Sequence, residues 1–490
     1  LYTASQLREL DRGAIETAGI PGYTLMLRAG AAAWQVLGSS WPDARRLVVV
    51  CGTGNNGGDG YVLARLALKA GVRGQVLQLG DPDRIRGDAL TARSDWLAAG
   101  GDTRPFDAQI LTEADVIVDA MLGTGLERPL DGAWLAAVNA INTAPVPVLA
   151  LDIPSGLHAD TGSILAAAVR ADYTATFIGR KRGLYTGQGA EVAGHISLHD
   201  LDVPAPVYRA VTASATLLTQ PPLGRLGTPR PRTAHKGDHG HVLVVGGDHG
   251  MNGAVQLAGL AALRSGAGRV SLATRPEHAA AIAAACPVLM SLGAASGRAL
   301  TALLGRATVV AIGPGLGRSR WAQDLLSTVL QSKLPLVVDA DALNLLAREP
   351  QSCDRWILTP HPGEAARLLG VSIREVQADR FAAVTALVER YRGTAVLKGA
   401  GTLIGTGAAP VTVCAAGNPG MASAGSGDVL TGVIAGLAAQ GLALPQAAGA
   451  GVCVHGLAGD VAAGSGERGL LATDVIAALR AVLQRFGEPQ

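Results

Sequence analysis

The chain has 490 residues, beyond the length over which one core usually keeps growing, so two domains are expected. Hydrophobic residues make up 48%, charged residues 16% and aromatics only 3%, so the interior must be built from Ala, Val, Leu and Ile, with 65 glycines allowing close approach, which suits α/β layers. The 41 Lys and Arg against 39 Asp and Glu leave a net charge of +2, which gives no electrostatic reason for a nucleic-acid or membrane partner.

The N-terminus passes from Leu1-Tyr2-Thr3 to Arg8, Glu9 and Asp11 with no apolar signal-peptide stretch, so a cytoplasmic location is expected. A helix is expected over Thr3–Ala18. A β-branched strand, Leu47–Cys51, leads through a glycine-rich turn to a helix at Tyr61–Ala70 that stops at Gly71. Further strands are expected at Arg73–Leu79, Val116–Asp119 and Val148–Asp152, with helices between them. Short apolar strands alternating with helices imply a parallel sheet covered on both faces.

The rhythm breaks over Leu201–Lys236, so residues 216–232 are expected to link a domain at 1–215 to one at 233–490. The basic stretch Arg225–Lys236 reads as linker or as binding patch, and its prolines and glycines favour the linker. A second βα series follows at His241–Val245, Gly268–Thr274, Val309–Ile312, Leu336–Asp339, Trp356–Thr359 and Ala395–Gly399. A hairpin is expected between Thr402–Gly405 and Val411–Ala415. Nothing charged lies between Asp428 and Asp460, but glycines and Pro445 interrupt the run. It reads as two buried helices parted near Gly441–Pro445 rather than a membrane span. Apolar helix surface makes a homo-oligomer the expectation. The five cysteines are scattered and lack a CxxC pair, which argues against a disulfide framework and structural zinc.

Two groups of motifs carry chemistry. In the first half, Gly52-Thr53-Gly54-Asn55-Asn56-Gly57-Gly58-Asp59-Gly60 joins a strand to a helix, where free N–H groups can receive an anion. Its GxGxxG spacing alone also fits a plain tight turn, and the absence of a Gly-Lys-Ser/Thr ending disfavours a P-loop. Asp119 precedes the second glycine loop, Gly123-Thr124-Gly125, and Asp152-Ile153-Pro154-Ser155-Gly156 ends a third strand. Asn, Asp and Ser oxygens can hold a hard cation and a separate carboxylate can move protons; the alternative is that Asp119 and Asp152 cap turns.

In the second half, Asn418 to Leu430 contains Ala424-Gly425-Ser426-Gly427-Asp428, where consecutive N–H groups can cradle phosphate beside a carboxylate. Gly313-Pro314-Gly315-Leu316-Gly317, Asp339-Ala340-Asp341, Thr359-Pro360-His361-Pro362-Gly363-Glu364 and Lys398-Gly399-Ala400-Gly401-Thr402 each follow a strand, the usual pocket edge. Lys398 can meet phosphate as a point charge, while His361 fits either a substrate contact or a turn.

Together, the Gly-Asn-Asn-Gly-Gly-Asp-Gly, Asp-Ala-Met-Leu-Gly-Thr-Gly and Asp-Ile-Pro-Ser-Gly segments resemble the NAD(P)H-hydrate epimerase domain over about residues 1–210. Residues from about 225 to 486 resemble the ADP/ATP-dependent NAD(P)H-hydrate dehydratase domain of the ribokinase-like superfamily, through His241–Gly247, Gly313–Gly317, Thr359–Glu364 and Ala424–Asp428. The resemblance implies an N-terminal Rossmann-like three-layer sandwich followed by a ribokinase-like α/β domain. It implies that Asn55, Asn56, Gly57, Gly58, Asp59, Gly123, Thr124, Gly125, Leu126, Glu127, Arg128, Pro129 and Asp152 surround hydrated NADH or NADPH, with Asp152 catalytic. It gives K⁺ to Asn56, Asp119 and Ser155.

In the second domain it implies Ala254, Gly317, His361 and the catalytic Asp428 for the hydrate. Lys398, Gly399, Ala400, Gly401, Thr402 and Gly427 would serve ADP, with Mg²⁺ near the phosphates. Epimerisation of the R and S C6 hydrates and ADP-dependent dehydration of the S form are the expected reactions. The competing reading is a ribokinase-like small-molecule kinase with a noncatalytic N-terminal nucleotide-binding module.

Overall fold

The computed structural model describes residues 1–486; residues 487–490, the end of the expected second domain, lie outside the described residues. The chain separates into two compact units, Leu1–Ala215 and a second beginning at Thr216.

In the first unit, β1 (Arg46–Cys51), β2 (Arg73–Gln78), β3 (Thr103–Pro105), β4 (Val116–Ala120), β5 (Val148–Leu151), β6 (Tyr173–Phe177) and β7 (His195–His199) form one sheet, in the order β3-β2-β1-β4-β5-β6-β7. All its pairs are parallel. Side chains alternate across a strand, and here each face has its own core. Leu47, Val49, Val116 and Val118 enter one core. Val48, Val50, Ile117 and Val148 enter the other. The strand order reverses between β1 and β4, and such a reversal opens a crevice at the carboxyl ends of the strands. The N-terminal helix, expected over Thr3–Ala18, is α-helical over Ala4–Arg12, capped by Thr3, and continues as a π-turn over Gly13–Thr17.

The second unit is a 10-stranded sheet. Its strands are β8 (Ala215–Leu218), β9 (His241–Val245), β10 (Arg269–Thr274), β11 (Met290–Gly293), β12 (Val309–Ile312), β13 (Leu336–Val338), β14 (Trp356–Leu358), β15 (Thr394–Leu397), β16 (Thr402–Gly405) and β17 (Val411–Cys414). Their order is β11-β10-β9-β12-β13-β14-β15-β16-β17-β8, parallel from β11 to β15, with β15, β16 and β17 paired antiparallel. Residues 216–232, expected as a linker, lie within this unit: Thr216–Leu218 belong to β8, and Leu223 is buried in the core.

The uncharged run folds as helices Ser426–Ala439 and Leu444–Ala462. Every residue of the first from Val429 to Ala438 is buried, which explains why charge is excluded there. This helix packs on helix Asn252–Arg264 backbone to backbone: a Cβ on Gly432 or Gly436 would meet main-chain atoms of Ala258 or Ala262 at 3 Å or less. Among the described residues no helix is long and apolar enough to cross a membrane.

Candidate functional site

The glycine-rich segment after β1 divides in two. Gly52, Thr53 and Gly54 turn the chain, whereas Asn55 to Gly60, expected as loop, form the first turns of helix Asn55–Lys69. Packing explains the difference. A Cβ on Gly57 would come within 3 Å of the Gly52 carbonyl oxygen, one on Gly58 would collide with Met26, and one on Gly60 with Ala120. These glycines therefore seat the helix start against the strand ends instead of loosening a loop.

Asn56, on that first turn, is 7% exposed, and both polar atoms of its side chain lack a partner. Buried polar atoms normally find one. Asp119, on β4, is wholly buried and accepts from Ser155 N at 2.8 Å, Ser155 Oγ at 2.7 Å and Met121 N at 3.2 Å. Burial pushes its pKa up to about 6 against these hydrogen bonds. Ser155 Oγ also accepts from Leu122 N at 2.9 Å, tying Asp119 to the loop that carries Gly123.

Asp152 follows β5 with φ +66, a left-handed conformation uncommon outside glycine and frequent where function fixes a side chain. Its Oδ1 pairs with Lys181 Nζ and accepts from Phe177 N at 3.2 Å. Lys181 is buried and also donates to Thr176 Oγ1 at 2.9 Å and the Phe177 carbonyl at 3.0 Å. A Cβ on Gly123 would lie 3.6 Å from Asn56 Cβ and 3.8 Å from Asp152 Oδ2, so this glycine stands between the two.

A cavity of ≈ 590 Å³ opens here, walled by Asn55, Asn56, Asp59, Gly123, Thr124, Gly125, Leu126 and Asp152, with Lys181 and Asp11. Burial, then Asp152, raises Asp11 to about 6. Burial, then Asp152 and Asp11, raises Asp59 well above the usual carboxylate range against the pull of Lys181. Of the residues expected around the dinucleotide, Gly57 and Gly58 are buried beneath the helix start, and Glu127, Arg128 and Pro129 are exposed outside the cavity wall. Asp11 and Lys181 were not read from the sequence. Lys181 ends up buried between two half-buried arginines, and nothing local in Arg180-Lys181-Arg182 distinguishes the middle residue.

In the second unit Asp339 follows β13 and is 1% exposed. Lys398 Nζ donates to its Oδ1 at 2.8 Å, Thr431 Oγ1 donates to its Oδ2 at 2.7 Å, and Lys398 Nζ lies 3.8 Å from Glu364 Oε2. Burial draws the Lys398 pKa down, but the Asp339 and Glu364 carboxylates outweigh it and the pKa is raised. The missing Cβ of Gly427 would lie 3.4 Å from Lys398 Nζ. Gly425, with φ +89, opens the helix that begins at Ser426, and Asp428 occupies its first turn. Burial, then Asp339 and Glu364, push Asp428 up to about 7, against the pull of Lys398.

Loops from neighbouring strands surround this cluster. Arg380, 1% exposed, donates to the Leu397, Lys398 and Gly401 carbonyls at 3.2, 3.3 and 3.5 Å, fixing the Lys398–Thr402 loop. Gly399, at φ +140, leaves room for that guanidinium. His361 caps helix Pro362–Leu369: its Nδ1 accepts from Gly363 N at 3.0 Å, and its Nε2 lies 3.4 Å from Glu364 Oε1. Burial, then Lys398, lower its pKa, so the ring is neutral near pH 7.

Gly317 N donates to Asp341 Oδ2 at 3.0 Å, and the missing Cβ of Gly315 would lie 3.2 Å from Ala254 Cβ. Ala254, on the first turn of helix Asn252–Arg264, and Gly317, on the loop after β12, thus lie at the β9/β12 reversal, while His361, Lys398, Gly427 and Asp428 gather around Asp339 and Glu364. Asp339 and Glu364, which lie in strand-end motifs read from the sequence without a role of their own, and Arg380, not read there, complete the cluster.

Residues 22–183 match the family described as YjeF-related protein N-terminus, and residues 242–481 match NAD(P)H-hydrate dehydratase. The chain is 49% identical over 484 residues to the bifunctional NAD(P)H-hydrate repair enzyme Nnr of Coxiella burnetii, covering 99% of each chain. It is 44% identical to the Escherichia coli enzyme of the same name, covering 99% of this chain and 94% of that one. A ribokinase-like superfamily protein from Enterococcus faecalis superposes with a TM-score of 0.51 at 29% identity, covering 57% of this chain and 98% of that one.

Fold and sites define a two-domain α/β enzyme with a Rossmann-like first unit and a ribokinase-like second. The chain belongs to the bifunctional NAD(P)H-hydrate repair enzymes. It unites an NAD(P)H-hydrate epimerase with an NAD(P)H-hydrate dehydratase.

Proposed function

We propose that Asp152 moves the protons of epimerisation at C6 and that Asp428 moves those of dehydration, with ADP bound beside it on Lys398–Thr402 and Gly427. The observation that carries this reading is the placement of the two carboxylates: Asp152 lines its cavity paired with the buried Lys181, whereas Asp428 stands on the first turn of its helix while Lys398 is paired with Asp339.

The hydrated ring carries its hydroxyl on the carbon next to the ring nitrogen. The nitrogen lone pair can expel that oxygen, and addition of water to the other face inverts the centre. Asp152, paired with Lys181, accepts the proton of the adding water and passes it to the expelled hydroxide, which leaves as water. In the second site Asp428 in its acid form gives a proton to the departing C6 hydroxyl, which leaves as water. The resulting carboxylate takes the C5 proton, restoring the dihydronicotinamide and the acid. One proton is given and one is returned, which suits a carboxyl half-ionised at pH 7. ADP lacks a γ-phosphoryl group to transfer, so its role is to order the cleft. The whole-chain relatives favour this reading over a kinase.

The unpartnered, buried Asn56 side chain and the buried Asp119–Ser155 pair carry the oxygen donors that suit K⁺. Asn56, Asp119 and Ser155 would hold the ion, which would supply fixed positive charge to order the Gly123 loop. Mg²⁺ is expected as the counter-ion of the nucleotide phosphates. The reading also has a homo-oligomer in the cytoplasm; exposed Val288, Met290 and Leu292 along the edge strand β11 support association.

Purified protein is incubated with each epimer, with and without ADP, while dihydronicotinamide absorbance is followed. ADP-independent epimerisation with ADP-dependent recovery is expected. Recovery at the same rate without ADP removes the nucleotide from the reading, and turnover of neither epimer removes the rest.

A further inference from the structure

Neither reaction site uses the basic stretch Arg225–Lys236. It folds over a cavity of ≈ 670 Å³ lined by Arg225, Arg230, Arg264, Arg480, His239 and Asp238, with Leu226, Leu437 and Leu483 as apolar wall. The cavity lies at the end of helix Ser426–Ala439 opposite Asp428, about 20 Å away at 1.5 Å per residue.

Two of the arginines are built into place. Arg225 donates to the Gln440 carbonyl at 2.8 Å, and a Cβ on Gly441, which has φ +92, would strike its guanidinium. Arg230 donates to the Gly266 carbonyl at 2.7 Å and to Gln440 Oε1 at 2.8 Å, and Gly266, at φ +105, likewise leaves space for it. Cations at the carbonyl ends of two helices account for this pair.

Arg264 also stands in the last turn of its helix, but neither it nor Arg480, both exposed, has a hydrogen bond or ion pair among the described residues. Among the described residues the only carboxylate lining the cavity, Asp238, is taken up by His235 through its backbone N–H at 2.9 Å and its ring at 3.2 Å. Four arginines therefore line a concave space with no free carboxylate among the described residues to balance them. A linear phosphate chain matches them, because guanidinium forks recognise phosphate oxygens and a row of them spans several groups.

We propose that this cavity binds a polyphosphate anion, at a site separate from both reaction centres. His239 reports on it. Burial, then Arg230, and to a lesser extent His235, hold its pKa below 6.5 against Asp238. A bound anion favours the imidazolium and raises it.

The test titrates sodium tripolyphosphate into the full-length enzyme at constant ionic strength while the His239 ring is followed by NMR, with His239→Gln identifying the signal. The expected result is a rise in the His239 pKa absent from a sodium chloride control. In the Arg264→Ala/Arg480→Ala double variant, half-saturation should shift at least about tenfold higher, with dehydratase activity unchanged. No response beyond chloride, or the same half-saturation in the double variant, overturns the proposal. ATP in a parallel arm separates the sources of the chain: tighter binding than tripolyphosphate gives the site to a nucleoside polyphosphate using the leucine wall, and equal binding gives it to the phosphates alone.

Discussion

The two proposed reaction sites are made of the same parts, a lysine among several carboxylates at the carboxyl ends of parallel strands, yet they spend the lysine on different partners. In the first, the lysine binds Asp152, the proposed proton carrier, and its neighbours Asp11 and Asp59 are pushed toward the acid form. In the second, the lysine is committed to a bystander, Asp339, and Asp428 is left to float up to about 7. The carboxylates left without the cation are raised by burial first and by their acidic neighbours second. Site chemistry here is set by pairing, not by residue type.

The largest effects should come from breaking each site alone. Asp428→Asn should reduce ADP-dependent dehydration by about 10²–10⁴-fold, the range of a lost acid–base group, and leave epimerisation intact. Asp152→Asn should do the reverse. An assay that resolves epimers measures both, and equal loss of both activities in either variant would erase the contrast.

Next in size is Lys181→Met, which leaves Asp152 without its buried partner. Epimerase activity should fall, and the first unit should lose about 3–5 kcal/mol in denaturant unfolding, since an unpaired buried charge is costly. Smaller is the pH response. Dehydratase kcat/KM should fall as pH rises through about 7, where Asp428 loses its proton. Lys398→Met removes the cation that lowers this pKa, so the fall should move to higher pH. A profile that rises through pH 7 instead would make Asp428 a base throughout. The smallest effect concerns association: Leu292→Lys on β11 should shift the oligomer toward smaller species by light scattering without altering either activity.

Much of the architecture was legible in the sequence. His241–Val245 and Val309–Ile312 form strands over the residues their β-branched runs mark, and the uncharged stretch breaks between Ala439 and Leu444 as its glycines and Pro445 suggest. The turn chemistry was read less well. Asn55 to Gly60 are helical because their glycines meet strands and Met26 that are distant in sequence, and a glycine needed for packing looks like one needed for a bend. The strands β6 and β7 were not anticipated. In the sites, Asp152 and Asp428 stood out through their glycine-rich surroundings, whereas Asp11, Lys181 and Arg380 did not. Their roles arise from tertiary pairing across 29 to 141 residues of chain in the cases of Lys181 with Asp152 and Asp11 with Asp152.

The backbone contact at Gly432 and Gly436 has a mechanical meaning. Helix Ser426–Ala439 is a rod with Asp428 at one tip, and its middle rests directly on the main chain of Ala258 and Ala262 with no side chain to act as cushion. A methyl group added at Gly432 acts as a wedge that must lift the rod, and the tip travels with it. On the proposed role of Asp428, its reach toward the hydrate is gauged at a seam more than one helical turn away, by the thickness of a single carbon atom.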